Sequence, residues 1–230
     1  MPGPTHAQKR ELFERHFLFG SLEPGEIDAL ASRARMERYP AGREIFTKGS
    51  PGRTLIAVLR GSVKISTLSP AGKEVALNII HAGEIFGEIA VIDGEERTAT
   101  AEAMSECELL VLDRRDVMPL FERHPEIAMM LLRILCRRLR QTSEQVEDVL
   151  FRTLQSRLAK ALLQLNEDAA AETPGSQSGL RLSQRELGNL VGGSRESVNR
   201  QLQLWHRAGL IELERGRVAI RDAAAIKRLL

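Results

Sequence analysis

The rhythm of apolar positions changes three times along the chain. Leu12 to Arg35 has mixed apolar spacing that predicts one or two short helices, with Pro24 near a helix start. From Tyr39 to Leu112 the pattern turns to short β-rich runs, EIFT, TLIAVL, VKIS, VALNII and ELLVL. Turn residues separate them at Gly42, Gly49, Pro51-Gly52, Gly61, Pro70-Ala71-Gly72, Gly83 and Asp93-Gly94. Short strands at this cadence predict an antiparallel barrel or sandwich. After Asp113 the period becomes helical, and Pro125 to Phe151 contains no internal glycine or proline. Leu131, Leu135, Leu139, Thr142, Val146 and Val149 recur there at spacings of four, four, three, four and three, the seam of a two-stranded coiled coil, which predicts a homodimer. Phe151 to Leu165 reads as a further helix, and Glu167 to Gly179 as a polar loop or linker.

The run from Ser183 to Arg200, SQRELGNLVGGSRESVNR, reads as two short helices around a glycine turn. Ser183 is placed to cap the first helix, with Glu186 completing a capping box, and Ser194 to cap the second. Gly192 and Gly193 permit turn geometry that other residues resist. On the second helix Val198, Leu202 and Trp205 form a face to bury, while Arg195, Glu196, Asn199 and Arg200 fall on another. Such a polar face suits the DNA major groove: arginine meets two acceptors on guanine, and glutamate accepts from the cytosine amino group. Downstream, LIELE and RVAI flank Arg215-Gly216 as a small hairpin, giving a winged helix-turn-helix whose Arg215 and Arg217 are placed for phosphates. The bland alternative is an amphipathic surface helix with solvated charges.

Charge sharpens this reading. The net charge of +2 is uneven: residues 181–230 carry ten Lys and Arg against five Asp and Glu, and the remainder twenty-three against twenty-six. The excess of positive charge thus sits with the helix pair, as attraction to double-stranded DNA requires. Two cysteines without a C-x-x-C pair exclude a disulfide framework and fit a reducing cytoplasm. No apolar run approaches the roughly 20 residues of a membrane span, and the charged start lacks the apolar core of a signal peptide. No nucleophile elbow, metal-ligand spacing or P-loop is present, so no enzyme is expected.

Within the β-rich half, Phe86 to Thr100 reads FGEIAVIDGEERTAT. A glycine turn, a carboxylate, and an arginine followed by a hydroxyl supply what a cyclic phosphodiester needs: N–H groups near Gly87 for phosphate oxygens, Arg97 for the charge, Thr98 for a further hydrogen bond, and Glu88 for a ribose hydroxyl. The alternative is that Arg97 and Glu88 form a merely structural salt bridge.

F-G-E-I-A followed by R-T-A resembles the phosphate-binding cassette of cyclic-nucleotide-binding domains. The order of parts is similar to the CRP/FNR family of transcription regulators over about Phe19 to Arg217, and RRLRQTSEQVEDVLF and LGNLVGGSRESVNR resemble its cyclic AMP receptor branch. The resemblance implies an α+β protein with an N-terminal antiparallel, jelly-roll-like β-roll (1–124), a dimerisation helix and hinge (125–152) and a winged helix-turn-helix (153–230). It implies cyclic AMP or cyclic GMP as effector, held by Gly87, Glu88, Ile89, Ala90, Arg97 and Thr98, with Thr142 and Ser143 at the purine. The operator would be a palindrome with TGTGA-like half-sites, met by Ser183, Gln184, Ser194, Arg195, Glu196, Ser197, Asn199 and Arg200. RNA polymerase follows as a partner.

The chain departs from that branch in two places. The segment between Glu88 and Arg97 is one residue shorter, as in cyclic-nucleotide-dependent kinases, and Asn199 replaces a glycine. Three rivals remain to be weighed. An iron–sulfur sensor needs an N-terminal cysteine cluster, whereas the first cysteine is Cys107. A haem sensor would use Pro2 and His81 as axial ligands. A cyclic-nucleotide-binding regulatory subunit would lack the base-reading helix.

Overall fold

The computed structural model describes residues 5–16, 18–69, 72, 74–172, 180–181, 184–214 and 217–230. Pro2, Pro70, Ala71, Ser183, Arg215, Gly216 and the end of the expected linker lie outside the described residues. The chain divides into two compact units, 1–139 and 140–230.

The first unit opens with helices α1 (His6–Arg15) and α2 (Pro24–Arg33). Strands β1 (Arg35–Tyr39), β2 (Glu44–Phe46), β3 (Thr54–Arg60), β4 (Ser62–Leu68), β5 (Glu74–His81) and β6 (Ile85–Phe86) follow, then the short helix α3 (Glu88–Asp93), strands β7 (Thr100–Ala103) and β8 (Cys107–Asp113), and helix α4 (Arg114–Arg123). Two antiparallel four-stranded sheets form, ordered β1-β8-β3-β6 and β2-β7-β4-β5.

The apolar runs explain the layering. In β3, Ile56 and Val58 point between the sheets, while Leu55 and Ala57 join the helices on the outer face. In β8, Leu109 and Val111 face inward, and Leu110 and Leu112 outward. Strands covered on both faces need continuous hydrophobicity, and TLIAVL and ELLVL supply it. Burying a core of this kind is worth roughly 25 cal/mol per Å² of apolar area. β1 was not anticipated, because RMERY is too charged to read as a strand until β8 pairs with it.

Helix α5 (Pro125–Phe151) spans the expected range. Its early turns bury Ile127, Leu131 and Ile134 against the first unit, so the boundary between units falls inside the helix rather than at its start. The same packing corrects the expected seam. Leu131 is committed to its own barrel, and the exposed stripe is Met129, Leu132, Cys136, Leu139, Ser143, Val146 and Leu150, at spacings alternating between three and four.

In the second unit α6 (Leu154–Glu172) begins after Arg152 and Thr153 and runs on through residues expected to be loop, since Ala-rich EDAAAE propagates a helix at little cost. It is followed by β9 (Leu180–Arg181), α7 (Gln184–Val191), α8 (Arg195–Arg207), β10 (Ile211–Glu214), β11 (Arg217–Ile220) and α9 (Ala223–Lys227). The three strands form one sheet, ordered β10-β11-β9. Leu158 and Leu162 of α6, Leu187 and Val191 of α7, and Val198, Leu202 and Trp205 of α8 share one core. Of the two turn glycines only Gly192 takes a left-handed conformation, at φ 65°; Gly193 is needed for space, because a Cβ there would meet Leu154 Cδ1 at 2.7 Å.

Candidate functional site

Strand β6 ends at the buried Phe86, and Gly87 turns the chain into α3 with φ 79°. A Cβ at Gly87 would lie 2.5 Å from Arg97 Nη1 and 2.9 Å from the Thr54 carbonyl, so the backbone and the guanidinium approach each other only because no side chain intervenes. Glu88 opens α3 and is 2% exposed. Its Oε1 accepts from Arg138 Nη1 at 2.5 Å, and Arg138 Nη2 donates to the Ile85 carbonyl at 2.5 Å. Ala90 is buried beside it, while Ile89 is turned outward.

Arg97 is 5% exposed. Its backbone is pinned on both sides, N–H donating to the Ser50 carbonyl and C=O accepting from Gly49, each at 2.8 Å. Nη1 donates to the Gly87 carbonyl at 2.8 Å, and Nη2 donates to both Thr54 oxygens, the carbonyl at 2.8 Å and Oγ1 at 2.7 Å. The Phe46 ring covers one face of the guanidinium, 4.2 Å from Cζ to the centroid, and is itself backed by Phe86. Burial holds the pKa of Arg97 below the ordinary arginine value, and the negative charge of Glu88 opposes that shift. A guanidinium is basic enough to stay a cation even so, and its buried Nε has no hydrogen-bond partner among the described residues. No ion pair joins Arg97 to Glu88: the carboxylate belongs to Arg138. Thr98 follows Arg97 and is exposed.

The fold thus brings together Gly87, Glu88, Ala90 and Arg97, with Ile89 and Thr98 on the outer side. Thr142 and Ser143 lie farther along α5, exposed and in the second unit. Three residues escaped the motif: Thr54, Phe46 and Arg138. Arg138 was legible in principle, because it continues the stripe Ile127, Leu131, Ile134 that turns α5 toward the barrel. His81 ends β5 half-buried, and its backbone N–H donates to Glu84 Oε2 at 2.8 Å. Among the described residues no cluster of three or more His, Cys, Asp or Glu side chains could hold a metal ion.

In the second unit Ser194 caps α8, its Oγ accepting from the Ser197 N–H at 3.1 Å. Arg195, Glu196 and Arg200 are exposed, and Ser197 is half-buried. The Glu196 carboxylate is held below the usual range first by its own backbone N–H, then by the Ser194 hydroxyl and the charge of Arg195, so it is an acceptor at neutral pH. Asn199 was expected to add a base or phosphate contact; its Oδ1 accepts from Gln184 Nε2 at 2.9 Å, tying α7 to α8.

A barrel carrying an anion-ready cassette, joined to a helix-turn-helix with exposed basic side chains, defines a ligand-controlled DNA-binding protein. Comparison with known proteins gives the family. Residues 36–124 match the cyclic nucleotide-binding domain family and 156–229 the Crp-like helix-turn-helix domain. The CRP-like cAMP-activated global transcriptional regulator of Mycobacterium tuberculosis is 36% identical over 95% of this chain and 98% of its own length. The cyclic AMP receptor protein of Thermus thermophilus is 34% identical over 92% of this chain and 95% of its own. The solved structure of the c-di-GMP responsive global regulator CLP of Xanthomonas campestris superposes with a TM-score of 0.77 at 27% identity, covering 86% of this chain and 99% of that one. The chain belongs to the CRP/FNR family: it is a cyclic-nucleotide-binding transcription regulator and not an enzyme.

Proposed function

We propose that the chain is a homodimer switched by a cyclic purine nucleotide, cyclic AMP or cyclic GMP, bound in the cassette of each barrel. The observation that carries this is the buried Arg97 guanidinium whose Nε–H has no partner: a buried donor on a cation is costly unless an acceptor, best an anion, meets it. Arg97 and the following Thr98 would take the cyclic phosphate together with N–H groups at Gly87, Ile89 and Ala90. Glu88, oriented by Arg138, would accept from a ribose hydroxyl. Thr142 and Ser143 would meet the purine from α5. The exposed stripe through Leu139 on that helix suits a second copy of the chain.

Nucleotide can favour the DNA-binding form only through a stronger affinity for it. The bound dimer would therefore hold its two α8 helices about 34 Å apart, one duplex turn, over a palindrome with TGTGA-like half-sites. Arg195, Glu196 and Arg200 would read bases, with Ser194, Ser197 and Gln184 toward the backbone; Ser183 belongs with that group by its place before α7. Phe151 to Thr153, where α5 gives way to α6, is the candidate hinge. The setting is the cytoplasm, with RNA polymerase as the further partner. Among the described residues no helix is long and apolar enough to cross a membrane.

Calorimetric titration with cyclic AMP and cyclic GMP, repeated with an operator-like palindrome present, tests the reading. One nucleotide should bind and should tighten DNA binding. Arg97→Leu should weaken nucleotide binding by about a hundredfold, as loss of a buried charged partner does. Equal DNA affinity with and without nucleotide would refute the switch, and unchanged nucleotide affinity in Arg97→Leu would refute the phosphate role.

A further inference from the structure

Arg97 is held by more than its own strand. Of its five N–H donors, Nη2 supplies two bonds to Thr54 and Nη1 one to Gly87, and the buried Nε–H has no partner among the described residues. Phe46 closes one face of the guanidinium plane. With one face covered and Nη2 bonded twice, the guanidinium plane is held and its Nε–H has a fixed direction.

Thr54 is itself rigid. It is the first residue of β3, paired opposite Asp113 of β8, and β3 also pairs with β6 immediately before Gly87. The same sheet therefore fixes both ends of the clamp. Thr54 is half-buried at the start of the apolar run TLIAVL, and its hydroxyl accepts from Arg97 Nη2 at 2.7 Å.

We infer that Thr54 is a positioning residue for the effector phosphate, its hydroxyl and carbonyl orienting Arg97 so that the unpartnered Nε–H is held ready for the ligand. The inference rests on the proposed phosphate role of Arg97 and concerns a residue 43 positions away in sequence. It implies that nucleotide affinity depends on a hydroxyl that need not touch the nucleotide.

The test is calorimetric titration of the full-length protein with cyclic AMP and cyclic GMP, in Thr54→Val, Thr54→Ser, Arg97→Lys and the Thr54→Val/Arg97→Lys double variant. Thr54→Val should weaken binding about tenfold, the worth of one hydrogen bond to a charged group, and Thr54→Ser should restore it to within about twofold. Lysine cannot make the forked contact, so Thr54→Val should add almost nothing in the Arg97→Lys background. Thermal midpoints establish that each variant is folded, and Thr54→Ala replaces Thr54→Val should the latter not fold. Unchanged affinity in Thr54→Val, or a loss that adds in full to that of Arg97→Lys, overturns the positioning role. Unchanged affinity in both Arg97→Lys and Arg97→Leu instead overturns the phosphate reading beneath it.

Discussion

The cassette and the recognition helix carry their chemistry in opposite ways. Around Gly87 the charged groups are buried and already committed: Glu88 to Arg138, and Arg97 to Thr54 and Gly87, with Nε left without a partner among the described residues. On α8 the charged groups Arg195, Glu196 and Arg200 stand in solvent over a helix anchored by Val198, Leu202 and Trp205. A small ligand of fixed shape rewards a rigid, desolvated arrangement made before it arrives, because ordering and desolvation are then not charged against binding. DNA presents a long polyanion, and exposed side chains can meet it without a prior network. The contrast predicts that binding and stability are entangled in the first unit and separable in the second.

The largest test of that contrast is Glu88→Ala. Removing the carboxylate leaves the Arg138 Nη1 donor without it in a site where Glu88 is 3% and Arg138 19% exposed, and breaking a buried pair on one side costs about 3–5 kcal/mol. Denaturant unfolding should show the loss in the absence of any nucleotide, and Glu88→Gln, which keeps an acceptor, should recover part of it. A Glu88→Ala protein as stable as its parent would mean that the pair is dispensable and the cassette no more committed than the helix.

Arg195→Ala tests the other side, with a smaller effect. Loss of an arginine proposed to read bases should weaken operator binding by about 1–3 kcal/mol, while stability changes by no more than about 0.5 kcal/mol, the usual range for an exposed side chain away from caps and core. Fluorescence anisotropy on a labelled palindrome and a thermal melt on the same sample measure the two quantities. A marked fall in melting temperature would erase the distinction between the units.

The same contrast explains what could be read from the sequence. The exposed helix face was legible because its function and its periodicity are local: the residues that would read bases and the residues that bury the helix lie within eleven positions of each other. The cassette was legible only as a motif. Glu88 and Arg97 stand out in FGEIAVIDGEERTAT, but their partners come from Thr54 and Arg138, which pair with them through sheet register and the phase of α5. That phase was misjudged by one position: Leu131 fits a dimer seam by spacing as well as it fits the barrel, and only the barrel's own packing decides. Arg137, Arg138 and Arg140 look alike until the decision is made.

The smallest expected effect lies at the rim of the first unit, in a cluster of one exposed carboxylate, Glu126, with the half-buried His124 and Glu26. His124, between α4 and α5, hydrogen-bonds Glu26 of α2 through Nε2 at 2.9 Å and Glu126 through Nδ1 at 3.0 Å. Its pKa is raised above 6.5, chiefly by the bond to Glu26. Glu26 is lowered in return, chiefly by His124, and Glu126 is lowered first by its own backbone N–H and then by His124. The raised histidine contributes stability that is complete below its unfolded value and is lost as pH rises through its folded one. The lowered carboxylates contribute above theirs, near 4.5, and lose it as pH falls. The cluster therefore favours the folded state most between about pH 4.5 and 6.5, and solvent screening keeps the contribution small. Urea unfolding at successive pH values should show a shallow decline on the alkaline side of this window that His124→Gln removes. A His124→Gln profile parallel to the parent's at every pH would show that this rim cluster matters as little to the stability of the first unit as the exposed arginines of α8 do to the second.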